Sequence, residues 1–590
     1  MAVRVEGLTR HSVGVQTLRL YNRIVIDGVS ADVANQIRTE FTYSNPEHAK
    51  AQAMGLFVRV PRYLTSWVDG KDGTLSVPRG GLSRVVKIVA DEGDYQIVDA
   101  TVTGRPVEIP TSKVTPYDYQ TRLIDAALAK FNVGYDTVAL WRSVQASGKT
   151  TAALILATRM RVKTMVIISN SVLMRQWMTR IRKELGIEPG VIGGGRRNLE
   201  PPIVVAMQQS LKNVTDAELA QFGLVIGDEI QLFAATTFQE SIDRFPARCR
   251  LGVSGDEHRA DRKEFLIYDQ FGGVTAEVKA DELVSAGRIH EVEVRVVPTE
   301  FRADWYTDIA TMRARPGEPQ EKLQMRKARA KIMQAERLST EMAEDAARTK
   351  LVVDLATSSV RDYGRVLILA TRREHCHRIE TAVSAVGLSS GLLIGGSDYR
   401  KEFERTLAGF EDRRIQVAIG TYQAIGVGFD LPSIDCGICA APVANAASGD
   451  KQWRQYRGRF ARTATGKTDA VLYYLWDGYV FADKPLRHLR RWNSRVTVAD
   501  ADGITPVEQW IEVHYGTKTQ RRDKSKPKYE PRQRSIPGFD TEPQRPVRTR
   551  SGAVVTKAVG GGGTATGNGR ESGMGVPVPR RRRSEAGRSG

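Results

Sequence analysis

Eight residues constrain this chain more than any others: Ser143-Val-Gln-Ala-Ser-Gly-Lys-Thr150. The apolar run Thr137–Trp141 precedes them, and a helix-forming run, Thr151-Ala-Ala-Leu-Ile-Leu-Ala-Thr158, follows. Strand, loop and helix in that order make a phosphate cradle, because loop N–H groups and the helix N-terminus point at one anion. In such a cradle Lys149 reaches the β- and γ-phosphates of a nucleoside triphosphate, and the Thr150 hydroxyl ligates Mg2+. The pattern GxxxxGK[ST] is met except at its first position, where Ser143 replaces glycine. The candidate nucleotide contacts are therefore Ser143, Val144, Gln145, Ala146, Ser147, Gly148, Lys149, Thr150 and Thr151.

A second apolar strand, Phe222-Gly-Leu-Val-Ile-Gly227, ends in Asp228-Glu229. An isolated Asp-Glu pair reads as an ordinary acidic strand end. Downstream of a phosphate loop it reads as the hydrolytic pair, with Asp228 on Mg2+ and Glu229 orienting and polarising the attacking water.

With 41% hydrophobic and 26% charged residues, the 590-residue chain has the composition of a soluble globular protein with several domains. No apolar run approaches the ~18 residues that span a bilayer, and the N-terminus lacks a signal-peptide core. The expectation is a cytoplasmic, nucleoid-associated protein with no membrane partner. Four cysteines imply no disulfide framework. Cys436-Gly-Ile-Cys439 has metal-like spacing but lies inside the apolar run Ile434–Ala441, so it reads as a buried strand.

The net charge of +19 is unevenly placed. From Lys518 to Gly590 there are 18 Lys/Arg against 6 Asp/Glu, net +12, which leaves +7 on the preceding 517 residues. This tail is rich in Gly, Pro and Ser and poor in apolar groups, so it is expected to be disordered. Its charge suits a polyanion, most simply nucleic acid; a solubilising tail is the alternative.

From Pro116 onward an ordered set of motifs resembles the superfamily 2 helicases, which are DEAD/DEAH-like motors. The nearest branch holds the excision-repair helicases, the type III restriction motors and phage recombination helicases. Pro116-Tyr-Asp-Tyr-Gln120 matches the element before the phosphate loop. The resemblance implies that Tyr119 and Gln120 contact the nucleotide, with Gln120 reading adenine. Met165 to Trp177 resembles a strand whose following loop touches the nucleic-acid backbone, which implies Ser169 and Asn170. Ile203 to Leu211 resembles the next strand-end motif, which implies Gln209 and Ser210. Arg365 to Arg372 and Arg414 to Pro432 resemble the corresponding motifs of a second, facing domain. They imply Arg372, Thr421 and Gln423 at nucleic acid, and Gly428 and Asp430 at the nucleotide. Gln455-Tyr-Arg-Gly-Arg-Phe-Ala-Arg462 fits QxxGRxxR. Its arginines could form only a basic helix face. In a motor whose nucleotide lies between domains, however, Arg459 and Arg462, three apart on one helix face, are expected to reach the γ-phosphate from the far side.

Several positions depart from the pattern. Gln231 stands where close relatives have histidine, Ser254-Gly-Asp256 where Thr-Ala-Thr is usual, and Met207 where a threonine often touches phosphate. Arg259-Ala-Asp261 lacks the glutamate of the excision-repair Arg-Glu-Asp element. None removes a hydrolytic group; all bear on coupling. Asn45-Pro46-Glu47 and Thr74 to Leu82 resemble the domain that precedes some of these motors and engages DNA.

The expected fold class is α/β, with two tandem RecA-like P-loop domains of parallel sheets flanked by helices. A small α+β domain precedes them and a disordered tail follows. The boundaries expected are 1–115 for an N-terminal nucleic-acid-binding domain, 116–300 for the first motor domain and 301–350 for a helical connector. Residues 351–500 form the second motor domain, 501–517 a linker and 518–590 the basic tail. The function implied is an ATP- and Mg2+-dependent DNA helicase or translocase in replication, recombination or repair. Its partner is single-stranded, duplex or branched DNA, with RNA the second choice and protein partners unknown. A duplex translocase that does not separate strands, an RNA helicase and an ATP-gated clamp are the alternatives.

Overall fold

A computed structural model describes residues 15–515, apart from 54–58, 145, 234–239, 256–258, 260, 397, 427–433, 443–452, 454–455, 464–466, 468–469, 482–484, 487–488, 491–494 and 501–502. The basic tail, Gln145, Gly428 and Asp430 therefore lie outside the described residues.

The N-terminal block contains β1 (Gln16–Leu20), β2 (Ile24–Asp27), a small hairpin of β3 (Thr42–Ser44) and β4 (Tyr63–Thr65), then β5 (Val68–Asp69), β6 (Leu75–Val77) and β7 (Tyr95–Asp99). Its sheet runs β5-β6-β2-β1-β7 and is antiparallel except where β1 meets β7. Alternation along β1 and β2 turns Leu18, Leu20, Ile24 and Ile26 inward, against Val33, Ile37, Val85 and Val89 of two flanking helices. The block is α+β, as expected.

The first motor sheet contains β8 (Val138–Ser143), β9 (Thr164–Ile168), β10 (Gly190–Gly193), β11 (Arg196–Asn198), β12 (Ile203–Met207), β13 (Leu224–Asp228), β14 (Cys249–Ser254) and β15 (Val274–Val278). Its order is β11-β10-β12-β9-β13-β14-β8-β15, parallel except for the β10–β11 hairpin. Strands β9, β13 and β14 are buried along their whole length, as strands covered by helices on both faces must be.

The second motor sheet contains β16 (Val292–Pro298), β17 (Val366–Ala370), β18 (Ser390–Leu393), β19 (Val417–Thr421), β20 (Cys436–Cys439), β21 (Ala470–Trp476), β22 (Val496–Asp500) and β23 (Gly503–Pro506). The order is β18-β19-β17-β20-β21-β16-β22-β23, parallel except at β22–β23. All four cysteines are reduced and buried, and Cys436 and Cys439 lie within β20.

Three boundaries differ from expectation. Residues 100–113 already run along the first motor domain: Val102 N donates to Pro246 O, Arg105 N to Gln221 O and Lys113 N to Glu184 O. Strand β16, placed in the first domain by its position before residue 300, is paired between β21 and β22 in the second. The segment expected as a linker after residue 500 is strand β23 and the helix Val507–Tyr515. That helix's Trp510 meets Trp476 edge-on at 5.2 Å between centroids.

The connector contains the helix Gln320–Glu344, followed by Ala346–Tyr363 against the second sheet. Phe301, Leu338 and Met342 form a small core with Trp305, Tyr306, Val480 and Phe481, which fastens the connector to the second domain. No helix among the described residues is long and apolar enough to cross a membrane.

Candidate active site

The phosphate loop leaves β8 at Ser143, whose Oγ donates to Ser147 Oγ at 2.6 Å, so the serine in place of the first glycine closes the loop on itself. Val144 N donates to Val278 O at 3.3 Å. Ala146 at φ +67° and Gly148 at φ +74° turn the chain into the helix Lys149–Met160, which contains Thr150 in its first turn. Thr151 faces away from the loop, its hydroxyl donating to Glu184 Oε1 at 2.8 Å. Gln120 is buried and braces the loop: its Nε2 donates to Ser147 O at 3.0 Å and Gly148 O at 3.3 Å. Its Oε1 accepts from Tyr117 N at 3.0 Å. Tyr119 is buried and stacks on Tyr117 with centroids 5.7 Å apart.

The two carboxylates stand at the end of β13. Lys149 Nζ lies 3.0 Å from Glu229 Oε1. Asp228 Oδ2 accepts from Trp177 Nε1 at 2.7 Å, and Oδ1 accepts from Glu229 N at 2.9 Å. Burial, and then the neighbouring Glu229 carboxylate, push Asp228 up to about 6. Burial also pushes Glu229 up, but Lys149, Gln231 and Arg459 together outweigh it and hold Glu229 below the ordinary glutamate value. A divalent cation fits beside Asp228, because it supplies the positive charge that this buried carboxyl needs to stay ionised. Glu229 has φ +49°, a left-handed conformation uncommon for a residue with a side chain and found where function over-determines the backbone.

Gln231, the residue that departs from the helicase pattern, joins two motifs. Its Nε2 donates to Glu229 Oε2, and its Oε1 accepts from Ser254 Oγ at the end of β14. A hydrogen-bonded chain thus runs Lys149–Glu229–Gln231–Ser254. Sequence reasoning marked Gln231 and Ser254 only as substitutions, since nothing local says that their side chains meet.

The second domain brings its arginines to the same carboxylate. Burial lowers the Arg459 guanidinium to about 10 against the pull of Glu229. Burial, and then repulsion from Arg180, lower Arg462 to about 10, again opposed by Glu229. The expectation that both project from one helix face needs correction. The helical turns end at Phe460, and Arg462 instead pairs with Ile289 in an antiparallel bridge. His290 N donates to Ala461 O at 2.6 Å beside it. The second cation is therefore held by the chain segment that links the two domains.

The family described as "Type III restriction enzyme, res subunit" matches residues 113–256, the phosphate-loop half of this site. The chain is 26% identical over 381 residues to "Probable helicase D10" of Escherichia phage T5, which covers 64% of this chain and 74% of that protein. It is 26% identical over 192 residues to "DNA 3'-5' translocase XPB2" of Sulfurisphaera tokodaii. That match covers 32% of this chain and 42% of the relative, so the chain spans less than half of that relative's length. The crystal structure of T4 UvsW aligns at 12% identity and a TM-score of 0.37, covering 82% of this chain and all of that one. These likenesses support a superfamily 2 helicase of the type III restriction and XPB branch, an ATP-hydrolysing enzyme.

The seven residues implied at nucleic acid all lie at carboxyl ends of β9, β12, β17 and β19, the edge where open α/β sheets bind ligands. Their surroundings differ. Gln209 and Gln423 are exposed, and Ser210 is half-buried. Asn170 caps the helix Ser171–Leu185, with Oδ1 accepting from Val172 N and Leu173 N at 3.0 Å, and its amide donates to Ser169 Oγ at 3.2 Å. Thr421 Oγ1 accepts from Ala424 N at 3.3 Å. Arg372 donates to Glu336 O at 3.3 Å, so it faces the connector helix. Met207 packs on Gly193, where an added Cβ would stand 2.8 Å from its Cγ.

Proposed function

We propose that this helicase is an ATP- and Mg2+-dependent DNA motor acting in replication, recombination or repair, with the cleft between its sheets as the engine. The observation that carries the reading is the convergence on Glu229: Lys149 3.0 Å away from one domain, and the fields of Arg459 and Arg462 from the other. On this assignment Lys149 neutralises the β- and γ-phosphates, while Thr150 and Asp228 hold Mg2+, which spreads the charge that builds on the phosphates. Glu229 takes the proton of the attacking water. Arg459 and Arg462 stabilise transition-state charge, a contribution of about 10³–10⁵ in rate, or roughly 4–7 kcal/mol. Gln209, Ser210 and Gln423 contact the nucleic-acid backbone, and alternate opening and closing of the cleft moves the two grips along it.

DNA is the partner proposed because the XPB2 relative is named for it. That same name, a translocase, favours one second reading: movement along duplex without strand separation. Steady-state ATPase with single-stranded, duplex and forked DNA and with RNA, run beside displacement of a labelled strand from the fork, tests both. DNA-stimulated hydrolysis with displacement is the expected result. Stimulation without displacement selects the duplex translocase, and stimulation by RNA alone overturns the DNA assignment. Lys149→Ala is expected to abolish hydrolysis in every arm, and a wild-type rate in that variant would sink the phosphate-loop assignment.

A further inference from the structure

The arginine-bearing helical turns of the second motor domain stop abruptly, and the place where they stop decides where Arg462 goes. The last bond along the helix runs from Ala461 N to Arg457 O at 3.1 Å. Carbonyls at such an end have no partner within the helix and need donors from elsewhere. Two come from outside it. His290 N donates to Ala461 O at 2.6 Å, and the Lys467 ammonium donates to Phe460 O at 2.5 Å. Just beyond Arg462, Thr463 Oγ1 donates to Arg288 O at 3.4 Å.

Lys467 does more than cap the helix. Its Nζ also donates to Ile434 O at 2.5 Å, in the chain that leads into β20. A cap serving the helix alone would need only the first carbonyl; with both, one ammonium pins the helix end to a strand. The Phe460 ring makes a second pin. It lies so close on Gly437 of β20 that an added Cβ there would stand 2.4 Å from two ring carbons. Burial lowers the Lys467 ammonium to about 8, opposed by Asp435, while the like charges of Arg365 and Arg462 lower it further. Two cations this close on one short segment repel. The tethered ammonium therefore favours the Arg462 guanidinium on the side of the cleft, where the Glu229 carboxylate attracts it.

We propose that Lys467 is a positioning residue for hydrolysis: by holding Phe460 O and Ile434 O on one ammonium, it ends the helix at Phe460 and keeps Arg462 on the cleft side, where it completes the nucleotide site. The proposal rests on the assignment of Arg462 to the γ-phosphate and adds a group that acts through that arginine rather than on the nucleotide. The triphosphate itself is gripped from the first domain, by Lys149 and the phosphate loop. Lys467 is therefore needed for rate and not for nucleotide binding.

The test is a double-variant cycle on the full chain with ATP and saturating single-stranded DNA: wild type, Lys467→Met, Arg462→Ala and the two together. Lys467→Met keeps an apolar stem and removes the ammonium. It should lower kcat about tenfold, the scale of one hydrogen bond from a charged donor, with ATP affinity nearly unchanged. In the Arg462→Ala background the same substitution should change kcat by less than about twofold, because the residue through which it acts is gone. An undiminished loss in that background, a wild-type kcat in Lys467→Met, or a loss of ATP affinity as large as the loss of rate overturns the proposal and leaves Lys467 a helix cap. Lys467→Arg guards against a folding failure of the methionine variant. It keeps charge and donors, but its flat fork cannot hold both carbonyls at one point, so it should lose about threefold in kcat by the same route. A wild-type kcat in the arginine variant beside an unfolded methionine variant would show that Lys467 serves folding alone, which also overturns the proposal. A wild-type kcat in Arg462→Ala would remove the Arg462 assignment itself, a result separable from all of these.

Discussion

Among the described residues, the contacts where the N-terminal block meets the first motor domain are buried and charged; those where the second motor domain meets it include an exposed ion pair. At the first joint Arg79, 3% exposed, donates to Ala247 O, Thr137 Oγ1 and Arg248 O. Arg250, with no exposed surface, reaches back to Asn22 O at 2.6 Å. Tyr43 OH donates to the buried Asp269 at 2.8 Å and its ring stacks on Phe265 at 3.9 Å. At the second joint the outer contact is Arg175–Glu404 at 3.6 Å, with both side chains about half exposed. The inner contacts are the 288–290 bridge and the arginines beside Glu229. Opening the first joint would strand several buried polar groups, each costing roughly 1–3 kcal/mol. Opening the second breaks the exposed Arg175–Glu404 pair at little cost and returns the buried Arg459 to water. The N-terminal block and the first domain are therefore expected to move as one body, with opening at the other cleft.

Substitutions that separate rate from stability test this contrast. The largest expected effect is at the opening joint: Arg462→Ala should lower kcat by about 10²–10³ with ATP affinity nearly unchanged, because the cation acts on transition-state charge. Its unfolding midpoint should stay near wild type, and a kcat within twofold of wild type would remove the arginine from the site. At the fixed joint the pattern should reverse. Arg79→Ala should cost about 3 kcal/mol in denaturant unfolding, since it removes three buried hydrogen bonds across the joint, while the folded fraction keeps its kcat. An Arg79→Ala chain as stable as wild type would show that the two joints do not differ as described.

Gln231→Ala comes next. Loss of its bond to Glu229 should reduce nucleic-acid-stimulated kcat about tenfold, in the range of one hydrogen bond to a charged group. Pairing it with Ser254→Ala should give less than the sum of the two effects; strict additivity would mean that the two side chains act separately. Smallest of all, Glu404→Ala should shift stability by no more than about 0.5 kcal/mol and lose even that effect at high salt. A larger, salt-resistant change would make the outer edge of the cleft a lock.

Much of this was legible from the chain because phosphate chemistry forces local order. Ser143 to Thr150 and Asp228-Glu229 had to sit at strand ends, and they do. What could not be read was non-local pairing. Val292–Pro298 looks like any apolar strand, and nothing within seven residues says that its partners are β21 and β22. The same holds for Trp177, whose indole anchors Asp228 from a helix 51 positions earlier. Arg459 and Arg462 misled by spacing, since three residues apart means one helix face only if the helix continues. Asn170 and Thr421 had polar side chains at the expected edge, but those atoms serve first as helix caps.

The Lys149–Glu229 pair has a consequence for fuel economy. One oxygen of the carboxylate assigned to activate water is held by the ammonium assigned to seize the phosphates, at 3.0 Å. A triphosphate that claims Lys149 must loosen that hold, so the same event that loads the fuel unmuzzles the base. Gln231 keeps the other oxygen tethered meanwhile, so the released carboxylate pivots about a fixed point rather than swinging free. On the proposed assignment, ignition would follow loading, and stray water near an unprepared Glu229 would meet a carboxylate already engaged.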